Sequence, residues 1–190
     1  MGSSLYKKVE NFVEDSFIKA GYGWQIQHFK RTVYWVSRLK PDADEALLIS
    51  AIAHDIERAF RKSVSHEDVK KSKEGFSDIR YLNPHQKEGA KIIEEFLKKL
   101  NVDKKLIQRV KMLISKHEIG GNADQDLLKD ADSLSFFENN TEHFIKKVVP
   151  TLGVERVKGK IDWMFNRISS EKVKKIAFSW YEEAIKQLSD

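Results

Sequence analysis

The sequence contains no cysteine. Disulfides, thiolate nucleophiles and cysteine-ligated zinc are therefore excluded, and any metal must be held by histidine and carboxylate. There is no run of about 18 apolar residues, the length that a membrane-spanning helix needs. The first residues lack the apolar core of a signal peptide, so a cytoplasmic protein is expected. Proline is scarce, with three in 190 residues. No Gly-rich phosphate loop, Ser-His-Asp ordering or dinucleotide fingerprint occurs. Internal repeats, low-complexity segments and convincing strand patterns are absent too.

What is present suits one helix-rich domain. A chain of 190 residues with 41% hydrophobic and 33% charged residues has ample material for a core. Thirty-four Lys and Arg against 29 Asp and Glu leave a net charge of +5. The basic pairs Lys98-Lys99, Lys104-Lys105, Lys146-Lys147 and Lys174-Lys175 are scattered and read as solvated helix faces, so nucleic acid is not the expected partner. The mild excess suits an anionic small molecule. A homo-oligomer is left open.

Apolar residues at three- and four-residue steps mark the helices. Leu5, Val9, Phe12, Val13 and Phe17 give the first, broken at Gly21-Tyr22-Gly23. Trp24 to Leu39 gives the second, with His28 beside its Phe29, Val33 and Val36 stripe; Lys40-Pro41 ends it. Asp42 or Asp44 caps the third, which carries Leu47 to Arg58, LLISAIAHDIER. Ser65 and Asp68 have capping-box spacing for a short helix through Lys71, and Lys73 to Leu82 reads as a loop. Asn83-Pro84-His85-Gln86 is a helix start that would set His85 in a first turn, where free N–H groups can meet an anion. Asp103 caps the next helix, whose Leu106, Val110, Leu113 stripe continues at His117 before Gly120-Gly121. Leu128, Ala131, Asp132 and Ser135 mark another. Thr141 to Val149, ended by Pro150, and two further helices form the final third. This part reads as scaffold, with Arg156, Lys158, Lys160 and Arg167 as candidate substrate contacts.

Of the six histidines, four lie on or beside an inner stripe or at a helix start: His28, His54, His85 and His117. Asp55 and Asp132 add carboxylates. Four imidazoles and two carboxylates form the ligand mix of one or two first-row transition ions. Each has an ordinary alternative. His28 would serve as a core histidine, His85 as a first-turn residue and His117 as a partner for a helix end. Asp130 and Asp132 would serve as first-turn acids favoured by the helix dipole. His66 and His143 lie in polar surroundings and read as surface residues.

The order of these residues is what is distinctive. His28-Phe-Lys-Arg31, then His54-Asp55, His85 with Gly89-Ala90, His117, and Ala131-Asp132-Ser-Leu134 together resemble the HD-domain superfamily of metal-dependent phosphohydrolases. The resemblance covers roughly residues 24–140. Ala-His54-Asp55-Ile-Glu-Arg58 looks like the family signature, commonly His-Asp-Ile-Gly-Arg, with Glu57 in place of the glycine. The resemblance implies an all-α single-domain bundle of about eight helices over residues 1–190, an HD-like metal-binding core at 24–140 and a helical extension at 141–190 packed on it. It implies that His28, His54, Asp55 and Asp132 hold one metal, and that His85 and His117 add a second, bridged by Asp55. Asp132 rather than Asp130 matches the family's last ligand.

The resemblance implies hydrolysis of a phosphate mono- or diester, of a nucleotide or small phosphorylated metabolite, by metal-activated water. The cofactor would be one or two divalent ions among Mn, Fe, Ni, Co, Zn and Mg. Asp55, Arg58 and Lys116 are the expected catalytic residues. Arg31, Arg58 and Lys116 are the expected substrate contacts, with Lys73 or Arg80 from the loop as further candidates. Two other readings remain: a di-iron oxygenase of the same superfamily, cleaving a C–C or C–P bond, and a non-catalytic ligand-binding HD domain.

Overall fold

The computed structural model describes residues 4–60 and 71–189. The remainder of the expected helix from Ser65, and His66 with it, lies outside the described residues. Among those described the fold is all-α, without a strand. Nine helices of nine residues or more, plus the single turn Glu57–Phe60, compare with the expected eight.

The chain begins with α1 (Ser4–Lys19), which buries Tyr6, Val9, Val13 and Phe17 on one stripe. A left-handed Gly21, φ +79°, turns it around. After one 3-10 turn comes α2 (Ile26–Leu39), and then α3 (Glu45–Ala53). The cap of α3 is Asp44, not Asp42: its carboxylate accepts from Leu47 N at 2.9 Å. Helix α3 is apolar nearly all round, the pattern of a central helix. Ala46, Leu47, Ile49, Ala51, Ile52 and Ala53 are all buried, and α1, α2 and the later helix Lys104–Ile114 pack around it. Fully burying a single Leu or Ile here contributes roughly 1.5–3 kcal/mol. The one-turn α4 (Glu57–Phe60) follows.

The next helix starts earlier than its Asn83-Pro84 signal predicts. Helix α5 runs Ile79–Lys99, and Asp78 caps it, accepting from Arg80 N at 2.9 Å. Ser72 Oγ donates to the same carboxylate at 2.6 Å, and the Arg80 guanidinium pairs with it. This network fixes the cap upstream, so Pro84 lies inside the helix and His85 is not in its first turn. The expected meeting of His85 with free N–H groups is therefore corrected. The predicted loop survives only as far as Asp78, with one 3-10 turn at Gly75–Ser77.

Helices α6 (Lys104–Ile114) and α7 (Ala123–Ser135) follow, the first capped by Asp103 and the second by an Asn122–Gln125 capping box. Helix α7 passes through one π turn, Phe136–Asn140, into α8 (Thr141–Leu152). Pro150 does not end α8, as expected, but sits inside it; Gly153, φ +81°, ends it. Helices α9 (Val154–Asn166) and α10 (Glu171–Gln187) complete the chain.

The buried side chains form two clusters. One joins α1–α3, α5, α6 and the first part of α7. The other joins the end of α7, the π turn and α8–α10. Trp35 and Leu39 of α2 pack against both. The buried polar residues concentrate where these clusters meet.

Candidate metal centre

Five separate segments converge here. His28 comes from α2, and His54-Asp55 from the point where α3 gives way to a turn. His85 comes from α5, His117-Glu118 from the turns after α6, and Asp132 from α7. Neither α3 nor α6 remains helical through its histidine. His54 is the C-cap of α3, and Arg58 N donates back to Asp55 O at 2.9 Å across a tight turn. His117 N donates to Ile114 O at 3.3 Å in the same manner. Gly120, at φ +82°, closes that second turn, and a Cβ there would collide with Asp126.

Two ligand groups result, each with its donor atoms within 4.8 Å of one another: His28, His54 and Asp132; and Asp55, His85, His117 and Glu118. All seven residues are buried. Asp132 Oδ1 lies 3.1 Å from His28 Nε2 and 3.4 Å from His54 Nε2. Asp55 Oδ1 lies 2.9 Å from His85 Nε2 and 3.6 Å from His117 Nε2, while its Oδ2 is 4.0 Å from His54 Nε2. Asp55 therefore faces both groups.

The imidazoles are oriented as ligands. His54 Nδ1 donates to Ala51 O at 2.9 Å and His117 Nδ1 to Ile114 O at 2.8 Å. Each bond leaves an Nε2 lone pair pointing inward, and neither of these buried Nε2 atoms has a hydrogen-bond partner. His85 Nδ1 donates to Glu57 Oε2 at 2.7 Å. A histidine whose far nitrogen is tied to a carbonyl or carboxylate is the usual metal-ligand arrangement. Ligand bonds of 2.0–2.1 Å place neighbouring ligand atoms roughly 3.0–3.4 Å apart, close to the spacings here. Both groups could hold a metal ion: the donor set suits one, and the orphaned Nε2 atoms need one.

Charge balances at close quarters. Burial opposes ionisation of Asp55, but Arg58 and His54 hold it well below the usual carboxylate range. Burial likewise opposes Asp132, which Arg167 and His54 hold down. Glu118 falls to about 2 against its burial, chiefly through Arg167. His54 rises to about 9 although burial opposes it, because Asp132 and Asp55 face it. His85 also rises against burial, through Asp55 and Glu57, whereas burial pushes His117 down. Arg167, at the end of α9, clamps the two groups together. Its guanidinium bonds Glu118 and Asp132 at once, and its Nε donates to Ser133 Oγ at 2.9 Å.

All six expected ligands, His28, His54, Asp55, His85, His117 and Asp132, come together. Asp130 does not join them. It accepts from Ser169 N and Ser170 N at 2.7 and 2.9 Å, tying α7 to the start of α10. Arg58 reaches the centre, with Nε 2.6 Å from Asp55 Oδ2 as an ion pair. Of the other expected contacts, Arg167 and Lys160 also reach the centre, and the rest are elsewhere. Arg31 forks onto Glu138 at 2.6 and 2.8 Å and stacks 3.8 Å over Tyr34. Lys116 is exposed. Arg80 is bound to Asp78, Lys158 pairs with Asp162, and Arg156 reaches Lys73 O. Lys73 is exposed beside Glu74 and Ser77. His143 is not at the centre but stacks on Trp24 at 4.1 Å.

A cavity of about 80 Å³ opens on the centre, lined among others by His28, Asp55, Arg58, Glu118, Asp132 and Lys160. Sequence reasoning missed Glu118 as a ligand and Glu57 as the partner of His85. One signal for Glu118 was present: His117-Glu118 repeats the His-acid pairing of His54-Asp55.

A family model described as a domain of unknown function (DUF4202) matches residues 17–188. No curated protein and no solved structure matches the chain.

Proposed function

The chain belongs to the DUF4202 family, and from the centre that it carries we propose a metal-dependent phosphohydrolase acting on a phosphate mono- or diester. The substrate is a nucleotide or a small phosphorylated metabolite, and the protein uses two divalent ions, one in each ligand group. The observation that carries this reading is Asp55, placed between two buried ligand groups and facing a cavity that cationic side chains also line. The ordered ligand set in an all-α frame supports the resemblance to the HD-domain superfamily.

Divalent ions held there supply Lewis-acid polarisation of a phosphoryl oxygen and a nucleophilic water at neutral pH. The chain's own residues do the rest. Because Ala51, Glu57 and Ile114 accept from their Nδ1 atoms, His54, His85 and His117 turn Nε2 toward the centre, where a bound ion would replace the proton that the facing carboxylates favour on His54 and His85. Asp55 anchors Arg58 at the cavity wall, where the guanidinium meets phosphoryl oxygens as a charge-assisted donor. Arg167 keeps Glu118 and Asp132 ionised and aligned. Asp55, Glu57, Glu118 and Asp132 bring four negative charges to the centre. Arg58, Arg167 and Lys160 bring three positive ones, so two divalent ions leave a net charge of plus three. That balance favours a phosphate dianion.

The test is elemental analysis of the purified protein, with a screen of phosphorylated metabolites for phosphate release, repeated on Asp55→Ala. The proposal expects phosphate release from at least one substrate class, abolished in the variant. Two irons per chain with oxygen consumption and no phosphate release would move the reading to the di-iron oxygenases of the same superfamily.

A further inference from the structure

Lys160 differs from every other cation at the centre. Arg58 is paired with Asp55, and Arg167 with Glu118 and Asp132. Lys160 lines the same cavity, yet among the described residues it makes no ion pair or hydrogen bond. Its ammonium instead lies among aromatic rings: 4.2 Å from the Trp163 centroid, and 6.0 Å from those of Phe76 and Phe136. Arg167 packs on the same indole at 4.7 Å. Rings offset part of the loss of water around a cation, but less than a carboxylate would. Helix α9 thus holds a partly buried, unneutralised charge at the wall of a site that already contains two arginines.

We propose that Lys160 is the recognition residue for the substrate's anionic headgroup, its ammonium closing on a tetrahedral oxyanion in the cavity above Asp55 and Asp132. Geometry limits the headgroup. The cavity of about 80 Å³ is well below the roughly 300–1,000 Å³ of pockets that enclose a whole drug-sized ligand. It admits a phosphoryl-sized group and leaves the organic remainder at the mouth, where Trp24 is 45% exposed. The headgroup supplies the direct partner that Lys160 lacks, since Glu118 and Asp132 act on it only at a distance. Burial, opposed by Glu118 and aided by Arg167 and Arg58, pushes the empty-handed ammonium down to about 8, and an oxyanion reverses that. The inference rests on the phosphohydrolase reading only for the identity of the anion.

The experiment titrates inorganic phosphate into Mn²⁺-loaded wild type, Lys160→Met and Lys160→Arg by calorimetry, with metal content and melting temperature measured on each. Loss of one charged donor to a bound anion weakens binding by about 10- to 100-fold in Lys160→Met. Lys160→Arg, which keeps the charge, is expected to retain part of the affinity. Metal content stays at the wild-type level. Without phosphate, Lys160→Met melts higher than wild type, because a methionine of similar length has no charge to desolvate. A lysine that serves only to pack on Trp163 predicts the opposite: Lys160→Met melts lower and phosphate affinity is unchanged. That result overturns the proposal, as does a wild type that binds no phosphate. Failure of the hydrolase reading looks different, since an oxygenase of phosphonates would keep the Lys160-dependent phosphate affinity and release no phosphate from esters.

Discussion

Glu57 Oε2 lies 2.7 Å from His85 Nδ1, and both residues are buried. Glu57, two residues after Asp55, thus places a carboxylate behind one candidate ligand. A carboxylate acceptor fixes the imidazole's tautomer and makes its other nitrogen a better donor to metal. Glu57→Ala is expected to lower affinity for the ion in the Asp55, His85, His117, Glu118 group by about 10- to 100-fold. The His28, His54, Asp132 group is expected to keep its ion. Glu57→Gln, which retains an acceptor oxygen, should fall between. Metal titration followed by elemental analysis distinguishes the groups, and equal loss from both would contradict this role.

Arg167 stands in for positive charge that a metal would share. Removing one side of a buried ion pair costs about 3–5 kcal/mol because the partner is left uncompensated, and here two partners, Glu118 and Asp132, are left together. Arg167→Ala should therefore destabilise the chelator-treated protein by about that amount. It should destabilise the metal-loaded protein less, because an ion neutralises the same carboxylates. Denaturant melts of both forms measure the difference; equal losses would mean that the carboxylates are not ligands.

The metal-free protein has a defined pH profile. His54 rises from 6.5 to about 9 on folding, so its contribution is complete below pH 6.5 and is lost as pH rises through 9. Glu118 falls from 4.5 to about 2. Its contribution is therefore present above pH 4.5 and lost as pH falls toward 2, with Asp55 and Asp132 acting in the same sense. His117, lowered by burial, acts in the opposite sense to His54. Metal binding displaces protons from histidine and strengthens with pH. The stabilisation conferred by Mn²⁺ should consequently grow between pH 6.5 and 9, while the chelator-treated protein weakens. Thermal melts at several pH values check this, and a pH-independent difference would contradict it.

The candidate residues were legible because a histidine or aspartate on an apolar stripe leaves a mark. His117 sits where the leucine period demands another apolar residue, and Asp132 lies one turn after Leu128. The stripe brings these residues together although neither His54 nor His117 lies inside a regular helix, since each turn begins by copying the stripe before it. Helix ends were less legible. Asn83-Pro84 and Asp78 are both good starts, and the side chains of Ser72 and Arg80, gathered on one carboxylate, select Asp78. Arg167 and Lys160 stand among four candidate contacts of the final third, with Arg156 and Lys158, and no sequence signal separates the two that reach the centre from the two that do not. The role of Arg167 depends on its side chain reaching Ser133 and Asp132 of α7 from the end of α9. Arg31 and Lys116 stand three and one residues from His28 and His117 in sequence, but Arg31 is held by Glu138 and Lys116 is exposed in the turn after α6.

The central claim is that one chain holds two ions in adjoining groups that share Asp55. Its most direct test is the metal stoichiometry of the Mn²⁺-loaded protein, measured by elemental analysis on wild type, His28→Ala, His85→Ala and Asp55→Ala. The account predicts two ions per wild-type chain, one in each histidine variant and none retained tightly in Asp55→Ala. A wild type that binds no divalent ion, or an Asp55→Ala that keeps both, would contradict it.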